Sequence, residues 1–251
     1  MAFDITFLRK IRKFEYLLVR KFIAPNSRIL EIGAGTGDQA LMFFNDGFKV
    51  SAIDVGGSVY KADRVFDVLD YDGISIPFPT AYFDVVYSSN VLEHCTNLPS
   101  LHKEIKRVLK PGGVVIHVLP SGQWRFWTLI SGYVIAVTES VKLFSRLFQE
   151  FFHPGSLNRN SVKETWRFLV KDYWLPIRHG EIGNAYSEIW YFSSLHWICH
   201  FKSMGFSIKL NQPMGIFYTG NMLFGNNLSL NCRVWLSRIV GSACRVYILI
   251  V

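Results

Sequence analysis

The sequence predicts an α/β chain built on a doubly wound, mostly parallel sheet, with a helical, aromatic-rich insertion after the fifth strand. Three observations carry this. From Arg28 to Pro120 short apolar runs alternate with helix-patterned segments, the signature of successive βαβ units. The first run opens directly into a glycine loop, Glu31-Ile32-Gly33-Ala34-Gly35-Thr36-Gly37, and then a helical segment. Beyond Pro120 the pattern changes, and all seven tryptophans, Trp124 to Trp235, lie there.

Residues 1–26 come first. Phe7, Ile11, Phe14 and Leu18 recur at helical spacing, and six of the 27 basic residues (Arg9, Lys10, Arg12, Lys13, Arg20, Lys21) crowd around them. Two readings stand: a helix packed on the domain with a solvated basic face, or an interfacial helix that also touches anionic lipid.

Residues 27–120 form the core. Arg28 to Ile32 is the first strand, and Ala40, Leu41, Phe43 and Phe44 mark the helix after the loop. Lys49 to Asp54 is the second strand, Val65 to Asp70 a short third and Phe83 to Ser88 the fourth. Leu101, Ile105, Val108 and Leu109 share one face of a helix from Leu98 to Leu109, stopped by Lys110-Pro111-Gly112-Gly113. Val114 to Leu119 is the fifth strand.

Residues 121–187 show no clear βαβ unit and read as a mostly helical lid. Residues 188–251 complete the sheet: a helix from Glu188 to Met204 ended by Gly205, a strand from Phe206 to Leu210, a helix through Leu228, Cys232, Trp235 and Ile239, and a last strand from Arg245 to Val251.

Composition bounds the function. Half of the 251 residues are hydrophobic and 18% are charged, which supports a sizeable core and excludes long disorder. Cys95, Cys199, Cys232 and Cys244 are scattered, with no metal-ligand spacing, so free thiols in a reducing compartment and no metal site are expected. Met1 to Lys13 lacks a separate apolar h-region, and no run reaches the roughly 18 apolar residues of a spanning helix. A cytoplasmic protein is expected, with the inner face of a membrane as its one candidate surface. The net charge of +8 favours anionic partners.

The glycine loop is the strongest chemical signal. A loop between a first strand and a first helix, at the carboxyl edge of a parallel sheet, is where such folds bind nucleotides. A dinucleotide fingerprint would place its third glycine at position 38, where Asp38 stands. That carboxylate opposes a pyrophosphate at the helix N-terminus but does not oppose a zwitterionic, sulfonium-bearing ligand. Asp54 ends the second strand 17 residues past Gly37, where a carboxylate accepts ribose hydroxyls. Asp72-Gly73 follows the third strand, either beside an adenine or as a plain turn.

Glu31 to Gly37, Asp54, Asp72-x₄-Pro77-Phe78, Phe83-Asp84-x₇-Leu92-Glu93-His94 and Leu109-Lys110-Pro111-Gly112-Gly113 stand in an order and spacing that resemble class I S-adenosylmethionine-dependent methyltransferases. The set looks most like the ubiquinone/menaquinone-type and small-molecule subgroup, over about residues 27–120. The resemblance implies a Rossmann-like sheet of seven strands with the last reversed, and S-adenosyl-L-methionine as cofactor. It implies that Glu31 orients the loop, that Gly33, Ala34 and Gly35 line the cofactor, and that Asp54 holds the ribose. Asp72 and Gly73 fall on the adenine side and Asn90 near the methionine moiety. Only 17 residues separate Asp54 from Asp72, so the helix between the second and third strands must be short or missing.

For a hydroxyl acceptor the base candidates are His94, after the fourth strand, and His179, in His179-Gly180-Glu181 after the lid, with Glu181 on the acceptor side. Each also reads as a structural or turn residue. Similar His-Gly-Glu segments followed by an aromatic helix occur in bacterial methyltransferases of polysaccharide or glycolipid synthesis, a looser resemblance. Trp124, Trp127 and Tyr133 follow the fifth strand where an acceptor should enter, although most of the aromatic residues are core. The expected reaction is O-methylation of a small-molecule, glycan or lipid-linked acceptor. The alternatives are C-methylation of a quinone-like ring, nucleic-acid methylation, or a cofactor-binding scaffold. With the basic cluster confined to one helix and no RNA-binding module, nucleic acid is the weaker partner.

Overall fold

The computed structural model describes residues 5–152 and 159–251. The chain opens with α1 (Ile5–Val19), ended by a 3₁₀ turn at Arg20–Phe22. Its apolar stripe is spent internally: Phe7 and Ile11 are buried against Ile216, and Tyr16 and Val19 against Ile29 and Phe43. Four basic residues of this segment are partnered as well. Arg9 meets Asp38 at 3.2 Å, Arg12 meets Glu15 at 2.7 Å, Arg20 pairs with Asp46, and Lys10 donates to Asn226.

The core follows the expected alternation. β1 (Arg28–Ile32), α2 (Asp38–Asn45), β2 (Lys49–Val55), β3 (Val68–Tyr71), β4 (Phe83–Ser89), α3 (Leu98–Val108) and β5 (Leu109–Pro120) come in that order. Only a three-residue 3₁₀ turn, Lys61–Asp63, lies between β2 and β3, as the short spacing required. Asn97 starts α3 by accepting from the Ser100 N–H at 3.2 Å. The Lys110–Gly113 turn is a bulge inside β5: pairing with β4 jumps from Phe83–Leu109 to Val85–Val114.

Beyond β5 runs α4 (Gly122–Phe152), 31 residues long, then α5 (Arg159–Leu169) and a π turn at Val170–Trp174. The single helix expected over Glu188–Met204 is two, α6 (Glu188–Tyr191) and α7 (Ser194–Ser203). Ser193 makes the break, its side chain accepting the His196 N–H at 3.2 Å and so capping a new helix. β6 (Ser207–Pro213), α8 (Leu230–Val240) and β7 (Cys244–Ile250) complete the chain.

The seven strands form one sheet in the order β3-β2-β1-β4-β5-β7-β6. β7 is antiparallel to both of its neighbours, so it is the one reversed strand. One face is packed by α3 and α7 through Leu101, Ile105, Trp197 and Phe201, the other by α1 and α2. The carboxyl ends of β1 and β4, at the point where the strand order turns, place the glycine loop and residues 89–94 side by side. Among the described residues no helix is long and apolar enough to cross a membrane.

Candidate active site

The loop after β1 is fixed from beneath. Gly33 and Ala34 donate their N–H groups to Ile53 O at 2.8 and 3.1 Å. Gly33 has φ +69°, and a Cβ there would lie 2.4 Å from Val91 Cγ2, so only glycine fits. Asp54 is buried and ties the loop to β2: its Oδ2 accepts from Gly35 N–H at 3.1 Å and its Oδ1 from Val55 N–H at 2.8 Å. Glu31 is buried and faces the cavity above, and its Oε2 has no partner. Burial pushes its carboxyl up to about 8.

Asp38, at the first turn of α2, accepts from Thr36 Oγ1 at 2.6 Å and from Arg9 Nε at 3.3 Å. The helix N-terminus is therefore occupied by a side chain of the protein, which agrees with the exclusion of a pyrophosphate. α1 crosses over the loop and brings in a residue the motifs did not single out. Arg12 Nη1 donates to Glu15 Oε2 at 2.7 Å and to Ser89 Oγ at 2.9 Å, and Arg12 lines the cavity. Asn90, with φ +54°, sits beside it and donates its N–H to Val118 O at 2.8 Å. With its amide oxygen turned toward Arg12, the Asn90 side chain accepts from that guanidinium. The i, i+3 pairing of Arg12 with Glu15 was readable in the sequence; its placement over β4 was not.

The cavity has a volume of about 450 Å³. The glycine loop and α1 form one side, α4 the other through Trp124, Thr128 and Leu129, and residues 173–179 and 218–222 close it. His94 and His179 both line it, with ring centroids 4.8 Å apart. Burial lowers the His94 imidazole. Desolvation by the cavity wall, then His94 and Arg125, push the solvent-accessible His179 down to about 4. Trp124 packs edge-on against His179 at 4.8 Å.

His179 is held by groups that the motifs did not reveal. Glu188 Oε1 accepts the N–H groups of His179 and Gly180, each at 2.6 Å, and its Oε2 lies 2.8 Å from Arg125 Nε. Glu181 N–H donates to Glu93 O at 2.8 Å. Glu93 itself is buried, and burial pushes its carboxyl up to about 8.

Several expected residues stand elsewhere. Asp72 closes its own turn, accepting from Ser75 N–H at 2.7 Å and Ile74 N–H at 2.8 Å, and neither it nor Gly73 lines the cavity. The turn reading of Asp72 is the one its contacts match, because a side chain two residues back satisfies those donors locally. Asp54 lies under the loop, outside the cavity lining. Trp127 donates from Nε1 to Val240 O at 2.9 Å and packs on Phe217, so it joins α4 to α8. Tyr133 bonds the Tyr186 hydroxyl, away from the cavity. Glu181 turns to Arg178 at 3.3 Å. Glu93, His94 and His179 each bring one ligand-type atom to within 4.8 Å of the others.

Residues 30–117 match the family described as Methyltransferase domain. The chain is 31% identical over 125 residues to the sterol 24-C-methyltransferase ERG6B of Gibberella zeae, covering 45% of this chain and 33% of that protein. It is 31% identical over 96 residues to the malonyl acyl-carrier-protein O-methyltransferase of Serratia marcescens, covering 37% of this chain and 38% of that protein. The chain thus spans little more than a third of these relatives. A solved S-adenosylmethionine-dependent methyltransferase from Aquifex aeolicus superposes with a TM-score of 0.53 at 14% identity, over 100% of both chains. Residues 30–117 thus resemble a methyltransferase domain, and the seven-stranded sheet with its reversed strand is the fold shared with the Aquifex aeolicus structure.

Proposed function

We propose that this chain methylates a hydroxyl oxygen of a small-molecule, glycan or lipid-linked acceptor. One observation carries the proposal: a cavity of about 450 Å³ is lined both by a glycine loop of the cofactor type and by two imidazoles, His94 and His179. The residues fit the cofactor. Gly33 and Gly35 hold the positive φ that brings their backbone to the cavity, and Glu31 Oε2 is an unpartnered acceptor facing it. Glu31, Gly33 to Gly35, Arg12 and Asn90 would hold the methionine end, and Asp54, beneath the loop, would fix the Gly35 backbone on which the ribose side rests. Tyr60, whose ring lies 3.4 Å from a Cβ at Gly35, is better placed than Asp72 to cover the adenine.

When bound, the cofactor supplies an electrophilic methyl group. The chain's own work is to orient the acceptor against it, worth roughly 7–11 kcal/mol, and to accept the hydroxyl proton at His94 or His179. The test is methyl transfer to hydroxylated glycans and glycolipids by His94→Ala and His179→Ala. A fall of about 10²–10⁴-fold in turnover is expected for the histidine that acts as base. Unchanged turnover in both sinks O-methylation by this pair and leaves C-methylation of a quinone-like ring, for which the apolar part of the cavity suffices.

Within the acceptor classes a second observation favours lipid. On α4 the residues Phe126, Ile130, Val134, Val137, Val141, Phe144 and Phe148 recur every three or four positions, and all are exposed. They form one apolar stripe on the face opposite Thr128 and Leu129, which line the cavity. On a protein of net charge +8, such a lid lies naturally on an anionic bilayer.

A further inference from the structure

Glu93, His94 and His179 each point one donor atom into a common space, all within 4.8 Å of one another. Glu93 is the unusual member. Its side chain is fully buried, and neither carboxylate oxygen has a hydrogen-bond partner. A carboxyl group removed from water without donors needs a cation or a proton. Among the described residues, the one basic nitrogen within ion-pair reach is His94 Nε2, at 3.9 Å from Oε1.

The backbone is built to make this approach. Glu181 N–H donates to Glu93 O, and a Cβ on Gly180 would lie 2.7 Å from that same oxygen. Only glycine between His179 and Glu181 lets the second imidazole come so close to the first. Glu188 then holds the His179 and Gly180 N–H groups from the other side.

We propose that Glu93, His94 and His179 bind a divalent first-row transition-metal ion at the acceptor end of the cavity. Two imidazole nitrogens and one carboxylate oxygen are a donor set suited to Zn²⁺, Mn²⁺ or Fe²⁺. Such donors sit about 2.0–2.2 Å from the ion, so the two exposed imidazoles swing in toward the fixed carboxylate. Three protein donors leave coordination positions open to the cavity. An acceptor hydroxyl bound there loses its proton to solvent more readily, and the ion then takes the part given above to the free imidazoles. That use rests on the methyl-transfer reading; the binding itself does not.

The test uses the full chain, stripped with chelator and titrated at neutral pH with Co²⁺ by visible absorption and with Zn²⁺ by calorimetry. One ion per chain is expected, bound at least about tenfold more weakly in each of Glu93→Gln, His94→Asn and His179→Asn. The two histidines are exposed, so their variants remain informative if Glu93→Gln fails to fold. His200→Asn, whose ring meets His102 at 3.3 Å and lies outside the cavity lining, should bind as the parent does. Absence of stoichiometric binding, or affinity unchanged in both exposed-histidine variants, overturns the site. Calorimetry with S-adenosylhomocysteine on the same samples separates the two readings. Cofactor binding without metal binding removes the metal site alone, and metal binding without cofactor binding removes the methyl-transfer reading alone.

Discussion

Glu188 holds His179 through the backbone: its Oε1 accepts the His179 N–H at 2.6 Å, nine residues away in sequence. The same carboxylate lies 2.8 Å from Arg125 Nε, and the two side chains are 0% and 5% exposed. Removing one partner of a buried ion pair leaves the other charge uncompensated and costs about 3–5 kcal/mol. Glu188→Ala is therefore expected to lower stability by that amount and to free the 179–181 segment. Denaturant unfolding together with hydrogen exchange at His179 and Gly180 reads both effects. Protection at those two amides equal to the parent's would contradict the linkage.

Asp54 and Asp72 look alike in the sequence, and the structure separates them. Asp54 Oδ2 carries the Gly35 N–H, whereas Asp72 closes its own exposed turn. Charge-assisted hydrogen bonds contribute roughly 1.5–3 kcal/mol each. Asp54→Ala should weaken S-adenosylhomocysteine binding by roughly 10- to 150-fold, and Asp72→Ala by less than about twofold. Calorimetry decides, and equal losses in the two variants would restore Asp72 to the adenine side.

Gly33 tests the loop itself. Its φ of +69° disfavours any side chain, and Val91 Cγ2 already fills the space of a Cβ. Gly33→Ala should destabilise by about 1–3 kcal/mol and lose cofactor binding. Adding Val91→Ala relieves the contact but not the backbone, so recovery in the double variant should be partial. Full recovery would mean that the clash alone matters.

How much of this was legible follows from range. The strands and the glycine loop were readable because apolar period and turn chemistry are local, and Asp38 excluded the dinucleotide reading on the same footing; the reversed strand was implied only by the family resemblance. Ser193 was a local signal too, a helix cap inside an apolar periodic run, and the periodicity hid it. What was not readable is tertiary. Trp127 and Tyr133 have the right position in the chain but the wrong face of α4, one bonded to Val240 and the other to Tyr186. Glu93 belongs to a visible motif, yet its approach to His179 depends on a contact 88 residues away in the chain, from Glu181 N–H to Glu93 O. No spacing rule carries that.

The exposed stripe on α4 makes its own prediction. The protein should co-sediment with vesicles containing anionic lipid, and Phe144→Asp with Phe148→Asp should abolish this while cofactor binding stays at the parent's value. Phe144 and Phe148 are 71% and 59% exposed, so these changes leave the core intact. Failure of the parent to bind vesicles at low salt would remove the lipid preference among acceptors.

The last prediction concerns acid. His102 and His117 are buried, with ring centroids 5.9 Å apart, and the Nε2 atom of each has no partner. His102 Nδ1 meets His200 Nε2 at 3.3 Å, and His117 Nδ1 meets Ser88 Oγ at 2.7 Å. Burial, then His200 and Lys106, push His102 down to about 3, and burial pushes His117 well below the ordinary imidazole range. In the unfolded chain both titrate near about 6.5. The unfolded state therefore takes up protons that the folded state refuses, so their stabilisation is complete above about pH 6.5 and is lost as pH falls. Each contributes a slope of about 1.4 kcal/mol per pH unit in that window. Glu31 and Glu93, raised to about 8, act with the opposite sign between about pH 4.5 and 8, since the folded state there holds protons the unfolded state has released. The total slope mixes these contributions, so the informative quantity is the difference between parent and variant. Urea unfolding of the parent and of His102→Gln at pH 7.0, 6.0 and 5.0 should show the variant losing less stability on acidification, by about 1.4 kcal/mol per unit below pH 6. This holds even if Gln lowers stability at every pH, because the slope and not the level carries the test. Parallel pH curves for the two proteins would show that His102 is protonated in the folded state.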